Sequence, residues 1–437
     1  MSRGAFALRA GATRVSAARA LATASLPLPA AVDPLDLLRA VPSSRRFFWE
    51  RRDAGVAIAG VGAAVVVDAD GPDRFARVAA ALGSLPPDVL LVGGFGFAPG
   101  RARSGPWARF GACTWLVPRV AVVRRPGEVR LVAAGAARAA LSRALARARA
   151  ALARPRPARR GSARFEAAPL RPTARWRAAV DATLADIAAG RLRKLVLARA
   201  ARVRASVAFD APRVLDRLRG TADGCTVFAV GVGPATFVGA SPERLARVEG
   251  SLLTTAAVAG TAARGDGAEA SRRLAAALLG SAKERAEHAH VVDDVRARLR
   301  PLCAALDLPD APAVRPADAV QHLVTPVEAR LRPGTTLLDV VAALHPTPAI
   351  CGTPREAALA VLRGREDLER GWYGGGVGWL DAQGGGEVTV AIRTALLDGP
   401  RALLHAGAGI VAGSSWAREL EETRLKLRPM LGALLEL

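Results

Sequence analysis

Residues Leu404 to Pro429 read LHAGAGIVAGSSWARELEETRLKLRP. An apolar run broken by Gly407 and Gly409 has the character of a strand that a ligand can approach through its backbone amides, where side chains would block the way. Ser414 or Ser415 caps the helix that follows, and Pro429 is expected to end it near Arg428. On that helix Glu419, Glu422 and Lys426 fall at i, i+3 and i+7, so their three charged heads leave one face. Alone, the pattern is equally a solvated Glu422–Lys426 pair. What separates the two readings lies elsewhere in the chain.

The first separating feature is compositional. Of 62 Lys plus Arg, only Lys194, Lys283 and Lys426 are lysines. Where a generic surface cation would serve, this sequence uses Arg. A lysine retained under that bias points to work a guanidinium cannot do, such as losing a proton or fitting a tight pocket as a point charge. Tyrosine is rarer still, with Tyr373 alone in a glycine-rich stretch.

With 437 residues, of which 51% are hydrophobic, the chain can bury a large core. No apolar run approaches the ~20 residues that span a bilayer, so no membrane association is expected. The net charge of +23 raises nucleic-acid binding as a second class of function. Against it, the excess is Arg spread along the chain, aromatics are only 4%, and basic–aromatic interleaving and zinc-finger spacings are absent. Cys113, Cys225, Cys303 and Cys351 are widely spaced with no C-x-x-C, which reads as free thiols in a reducing, cytoplasmic setting.

Residues 1–32 carry no acid and are rich in Ala, Arg and Ser, and read as a disordered or transit-like tail. From residue 33 to about 130, short β-like runs alternate with Gly/Pro turns. Residues 136–153 read as a helix, followed by an exposed connection, RPRPARR. A helix over 173–190 precedes the strand RLRKLVLARA, which puts Lys194 on the same face as Leu192 and Val196. TVFAVGVGPATFVGASPERL reads as a hairpin with Glu243 just past its second strand, and SLLTTAAVAG as a strand ending in a turn at Gly260. Ser281 and Glu284 give a capping-box pattern for a helix whose stripe Glu287, Val291, Val295, Leu299 faces inward. An unpaired carboxylate at the head of that stripe is costly, so Glu287 is expected to meet a cation or a proton. His288 and His290 lie close by, but HEXXH spacing is absent, and an oxygen-only magnesium site is the better expectation. His345 sits in a proline-punctuated loop. Arg393 is expected on the second strand of a glycine-joined pair, where a buried guanidinium wants a carboxylate.

The segments KLVLAR, GASPERL, AGTAARG, ERAEH, LHPTPAICG, WYGGGVGWLD, VAIRTA, and GAGIV followed by E-x-x-E-x-x-x-K run in order from about Trp176 to Pro429. Each is weak alone, but the ordered set resembles the chorismate-utilising enzymes. The resemblance implies an α+β fold, a single large domain of layered antiparallel sheets with surrounding helices. It assigns residues 33–437 to one catalytic domain, with a variable half over 33–160 and a motif-bearing half over 173–430.

Within that family, the lysine ahead of the V-L-x-R strand is similar to isochorismate synthases, where anthranilate synthases have glutamine. Ala259 stands where aminodeoxychorismate synthases carry a lysine. The implied reaction is chorismate to isochorismate, with salicylate synthesis by further pyruvate elimination as the alternative. The product would feed menaquinone, siderophore or related pathways. The resemblance implies Lys194 as general base, Glu243 as general acid, and Glu287 and Glu422 as magnesium ligands, with Glu284 and Glu419 nearby. It implies Gly260, Thr261, His345, Tyr373, Arg393, Gly407, Gly409 and Lys426 as substrate-binding residues. Ala282 departs from relatives that carry an extra acid there. The expected partner is chorismate alone, bound by a monomer or homodimer.

Overall fold

The computed structural model describes residues 13–15, 21–100, 105–154, 163–317 and 320–435. Their strands form two large antiparallel sheets. The first has 12 strands and runs from Phe165–Pro169 through Lys194–Ala205, Arg401–Ile410, Thr394–Asp398, Ala235–Ser241, Thr226–Val232 and Arg45–Arg51 to Ala22–Pro27 at the far edge. The second has 11 strands, with Leu90–Phe95, Gly376–Asp381, Gly386–Val390, Arg244–Glu249, Leu252–Ala263 and Val320–Leu331 as successive neighbours. The α+β architecture of stacked sheets expected from the sequence is what forms.

The two sheets pack face to face around Phe47, Trp49, Phe228, Phe237 and Leu396 from the first and Val92, Val377 and Trp379 from the second. Each outer face carries helices. Arg74–Leu82, Ala282–Leu299 and Leu337–Leu344 cover the second sheet, while Arg138–Leu152, Ala211–Thr221 and the end of the C-terminal helix cover the first. This gives a helix–sheet–sheet–helix sandwich. The two sequence halves are interleaved within it: Leu90–Phe95 pairs with Gly376–Asp381, and Arg45–Arg51 with Thr226–Val232.

Several local expectations change. Ala22–Pro27, read as part of a tail, pairs with Glu128–Gly135. Its alternating Ala and Leu suit an edge strand, and the Pro sits at its end. Thr13–Val15, also read as tail, pairs with the strand Val65–Ala69, and apart from 13–15 and 21–32 the rest of that tail and nearly all of the RPRPARR connection lie outside the described residues. Arg74–Leu82 is a helix inside the stretch read as sheet, its Phe75, Val78 and Leu82 buried at i, i+3, i+7. Pro429 does not end the last helix, which runs Trp416–Leu435. An interior proline costs ~3 kcal/mol. Burying Met430 and Leu434 in the core at ~1.5–3 kcal/mol each offsets that loss.

Candidate active site

Two chain crossings between the sheets build the floor of the site. Ser241 ends a strand of the first sheet and Arg244 begins one of the second, so Glu243 sits on the crossing. Val390 ends a strand of the second sheet and Thr394 begins one of the first, so Arg393 sits on the return crossing, not on a strand as expected. Among the described residues Arg393 is the one non-glycine with positive φ, at 55°. The left-handed conformation lets the chain turn the corner at a cost of roughly 1–2 kcal/mol. The crossings are tied together: Val390 N donates to Glu243 O at 2.9 Å, Thr389 Oγ1 donates to the same carbonyl at 2.7 Å, and Ala240 N donates to Arg393 O at 3.3 Å.

Above this floor opens a cleft of about 1270 Å³, walled by strands of both sheets and by the helices Ala282–Leu299 and Trp416–Leu435. Lys194, Glu243, Gly260, Thr261, Glu287, Tyr373, Arg393, Gly407, Gly409, Glu422 and Lys426 all line it, as do Glu284 and Glu419. Eleven of the twelve expected site residues therefore converge on one space.

The twelfth, His345, does not. It is buried among Phe75, Phe95 and Phe97, and its Nε2 donates to Phe97 O at 3.1 Å. Burial pushes its pKa down to about 3, so it is a neutral core group, and its neighbours Ala349 and Ile350 line the cleft instead. His288 also packs inward. Its Nδ1 donates to Ala259 O at 3.2 Å, which leaves Nε2 to accept from Thr325 Oγ1 at 2.8 Å. Both nitrogens are spent on structure, in keeping with the rejection of a His-based metal site.

Two ion pairs line the cleft, one between a strand and a helix and one within the C-terminal helix. Lys194 Nζ donates to Glu287 Oε1 at 2.6 Å. Lys426 Nζ donates to Glu422 Oε1 at 2.5 Å and to Gly407 O at 2.9 Å. Glu243 has a different fate. Burial raises its pKa to about 7, against the opposing pull of the Lys194 and Lys426 charges, so it holds its proton up to neutral pH. Burial also lifts the Tyr373 phenol to about 12, leaving it a hydrogen-bond donor throughout the working range.

The glycines have steric causes. Gly409 lies opposite Val196 in the ladder, and a Cβ there would meet Lys194 Cε at 2.9 Å. A Cβ on Gly407 would meet the Tyr373 hydroxyl at 2.9 Å. Gly260 is not at a turn. The strand Leu252–Ala263 continues through it with a shift of register between Ala259 and Thr261, a bulge that its φ of 76° permits. The bulge aims Thr261 N at Glu284 Oε2, 3.2 Å away.

His322 and His405 also line the cleft, and the sequence reading passed over both. His322 Nδ1 shares a 2.9 Å hydrogen bond with Thr261 Oγ1, and burial with the nearby Lys426 and Arg393 charges pushes its pKa down to about 4. His405 stacks on Tyr373 with centroids 5.1 Å apart. His322 lies in AVQHLVT, where a lone polar ring amid apolar strand residues was the available signal.

The acids of the cleft form an oxygen-only donor set from two helices. Among the described residues no three His, Cys, Asp or Glu side chains stand close enough to make a closed metal cage.

A family model described as chorismate binding enzyme matches residues 8–435. The salicylate biosynthesis isochorismate synthase of Pseudomonas aeruginosa is 36% identical over 431 residues, covering 92% of this chain and 88% of that protein. The isochorismate synthase MenF of Bacillus subtilis is 32% identical over 424 residues, covering 90% and 88%. Among solved structures, the menaquinone-specific isochorismate synthase MenF from Escherichia coli superposes with a TM-score of 0.82 at 26% identity, over 98% of this chain and 95% of that one.

Proposed function

The chain belongs to the chorismate-binding enzymes, and from that premise we propose that it is an isochorismate synthase. The reaction adds water at C2 of chorismate and releases the C4 hydroxyl, with a shift of the ring double bonds. The observation that carries this reading is a buried lysine and a carboxyl that holds its proton, Lys194 and Glu243, on the walls of one cleft. Such a pair supplies a base for the attacking water and an acid for the departing hydroxyl.

Lys194 takes the proton of the attacking water, and Glu243 gives its own to the leaving oxygen. Water is consumed and released in equal number, and the proton on Lys194 replaces the one lost by Glu243 before the next turnover. Arg393, Tyr373 and Lys426 hold the pyruvyl and ring carboxylates, supported by the close backbone approach at Gly260, Gly407 and Gly409. Glu287 and Glu422 would hold magnesium, with Glu284 and Glu419 beside them; the bound ion would supply positive charge for the ring carboxylate. Glu287 Oε1 engages the Lys194 amine in the present geometry. A cation held by Glu287 would compete for that oxygen, and Lys194 would then be left to act as the base.

The test is incubation of the purified protein with chorismate and magnesium, followed by chromatographic separation of isochorismate, salicylate and anthranilate. Isochorismate as the accumulating product is expected. Salicylate with pyruvate would move the assignment to salicylate synthesis, which the name of the Pseudomonas relative makes the natural second reading. No conversion of chorismate would remove both.

A further inference from the structure

A second cavity, of about 1220 Å³ and open to solvent, lies beside the C-terminal helix between the strand Lys194–Ala205 and the helix Thr173–Ala188. It shares no lining residue with the cleft above. We propose that it binds a small organic carboxylate whose charged end meets Arg199 and whose apolar body lies against Trp176, Leu197 and Leu420.

The charge inventory of its walls points to an anion. Arg171 is paired with Asp367 at 2.9 Å, Arg365 with Asp186 at 2.8 Å, and Glu366 with Arg370 at 2.5 Å. Both oxygens of Glu366 are engaged, since Oε1 also accepts from Ala198 N at 2.7 Å and Oε2 accepts from Arg370 Nε at 2.7 Å. Both acids of the lining are therefore spent. Arg199 is not so matched. It is half-buried, its NH1 donates to Thr423 Oγ1 at 3.1 Å, and among the described residues it has no ion-pair partner. Burial and the neighbouring Arg424 push its pKa down, the sign of a cation short of a counter-charge. Arg175 adds a second unmatched guanidinium on the exposed side of the same cavity.

A guanidinium fork pairs two-pronged with either a carboxylate or a phosphate. The walls decide between them. The apolar side chains of Trp176, Leu197, Leu368 and Leu420 that line the cavity favour an organic body over an inorganic ion.

The experiment uses the full chain with 4-fluorobenzoate as probe, followed by fluorine NMR, and inorganic phosphate as the comparison ligand. Arg199→Gln is expected to weaken 4-fluorobenzoate binding at least tenfold. Arg199→Lys, which keeps the charge and guards against a folding failure, is expected to weaken it severalfold because the fork is lost. Arg393→Ala, at a residue that lines the cleft and not this cavity, is expected to leave the affinity unchanged. The proposal is overturned if the probe does not bind, if Arg393→Ala removes binding while the Arg199 variants retain it, or if phosphate displaces the probe at equal concentration.

Discussion

Glu287 Oε1 sits 2.6 Å from Lys194 Nζ, so the carboxylate proposed to ligate a cation is the one that now engages the amine proposed as base. Two tasks compete for one oxygen. Under the proposed roles, base chemistry at Lys194 and cation binding at Glu287 would be linked through that contact.

Arginine at position 194 keeps the positive charge but cannot give up a proton, its pKa lying above ~12. Lys194→Arg is expected to lower turnover by roughly two to four orders of magnitude, the usual span for loss of a general base. Chorismate binding should persist through Arg393 and Lys426. Lys426→Arg should instead raise the Michaelis constant at least as much as it lowers the rate. Steady-state kinetics of both variants separate the roles, and near-normal turnover in Lys194→Arg would mean the water is activated elsewhere.

The protonated carboxyl of Glu243 gives a pH signature. With its folded pKa raised by burial to about 7 from the ordinary value of 4.5, the acid form is lost as pH climbs through neutrality, and the rate should fall on that limb. The stability sign is the same. Between those two values the unfolded chain ionises and the folded one does not, so stability is full below 4.5 and declines until pH passes 7. At ~1.4 kcal/mol per unit the loss is on the order of 3 kcal/mol. Glu243→Gln should therefore be more resistant to urea than the parent at pH 8, yet at least a hundredfold slower. A variant that is less stable at pH 8, or that keeps its rate, contradicts the assignment.

Gly409 tests positioning without removing any polar group. An added methyl would meet Lys194 Cε at 2.9 Å, a contact that forces the side chain aside. Gly409→Ala is expected to cut turnover at least tenfold while shifting the thermal midpoint by only a few degrees, since the flexible lysine can move. Gly413→Ala, at a left-handed turn with no neighbour in reach, should do the reverse, costing stability with little effect on rate.

Removal of magnesium should abolish turnover, and Glu287→Ala and Glu422→Ala should each do so with the fold retained by circular dichroism. Full activity in excess EDTA would sink the metal assignment. The Glu287→Ala variant carries a second expectation: with no carboxylate on Lys194, chorismate should still bind.

The sequence carried most of the cleft because its chemistry is written in scarce residue types. Two of the three lysines, the sole tyrosine and two acids at helical spacing are visible without coordinates, and all line the cleft. The binding role of His345 rests on the family resemblance of its segment and not on its own surroundings, where three phenylalanines enclose it. Arg393 was placed on a strand because VAIRTAL is apolar throughout, and local pattern cannot show where a chain leaves one sheet for another. Pro429 was read as a stop because its backbone cost is local, while the burial of Met430 and Leu434 that outweighs it is tertiary.

The interleaving of the two sequence halves has a kinetic consequence. Leu90 pairs with Asp381 and Phe95 with Gly376, partners nearly three hundred residues apart. At a synthesis rate of about 5–20 residues per second, the early strand waits on the order of tens of seconds for its neighbour to exist. During that interval the nascent chain holds open strand edges in both sheets, so it has the high contact order of a slow folder and an exposure to mispairing that the finished sandwich conceals.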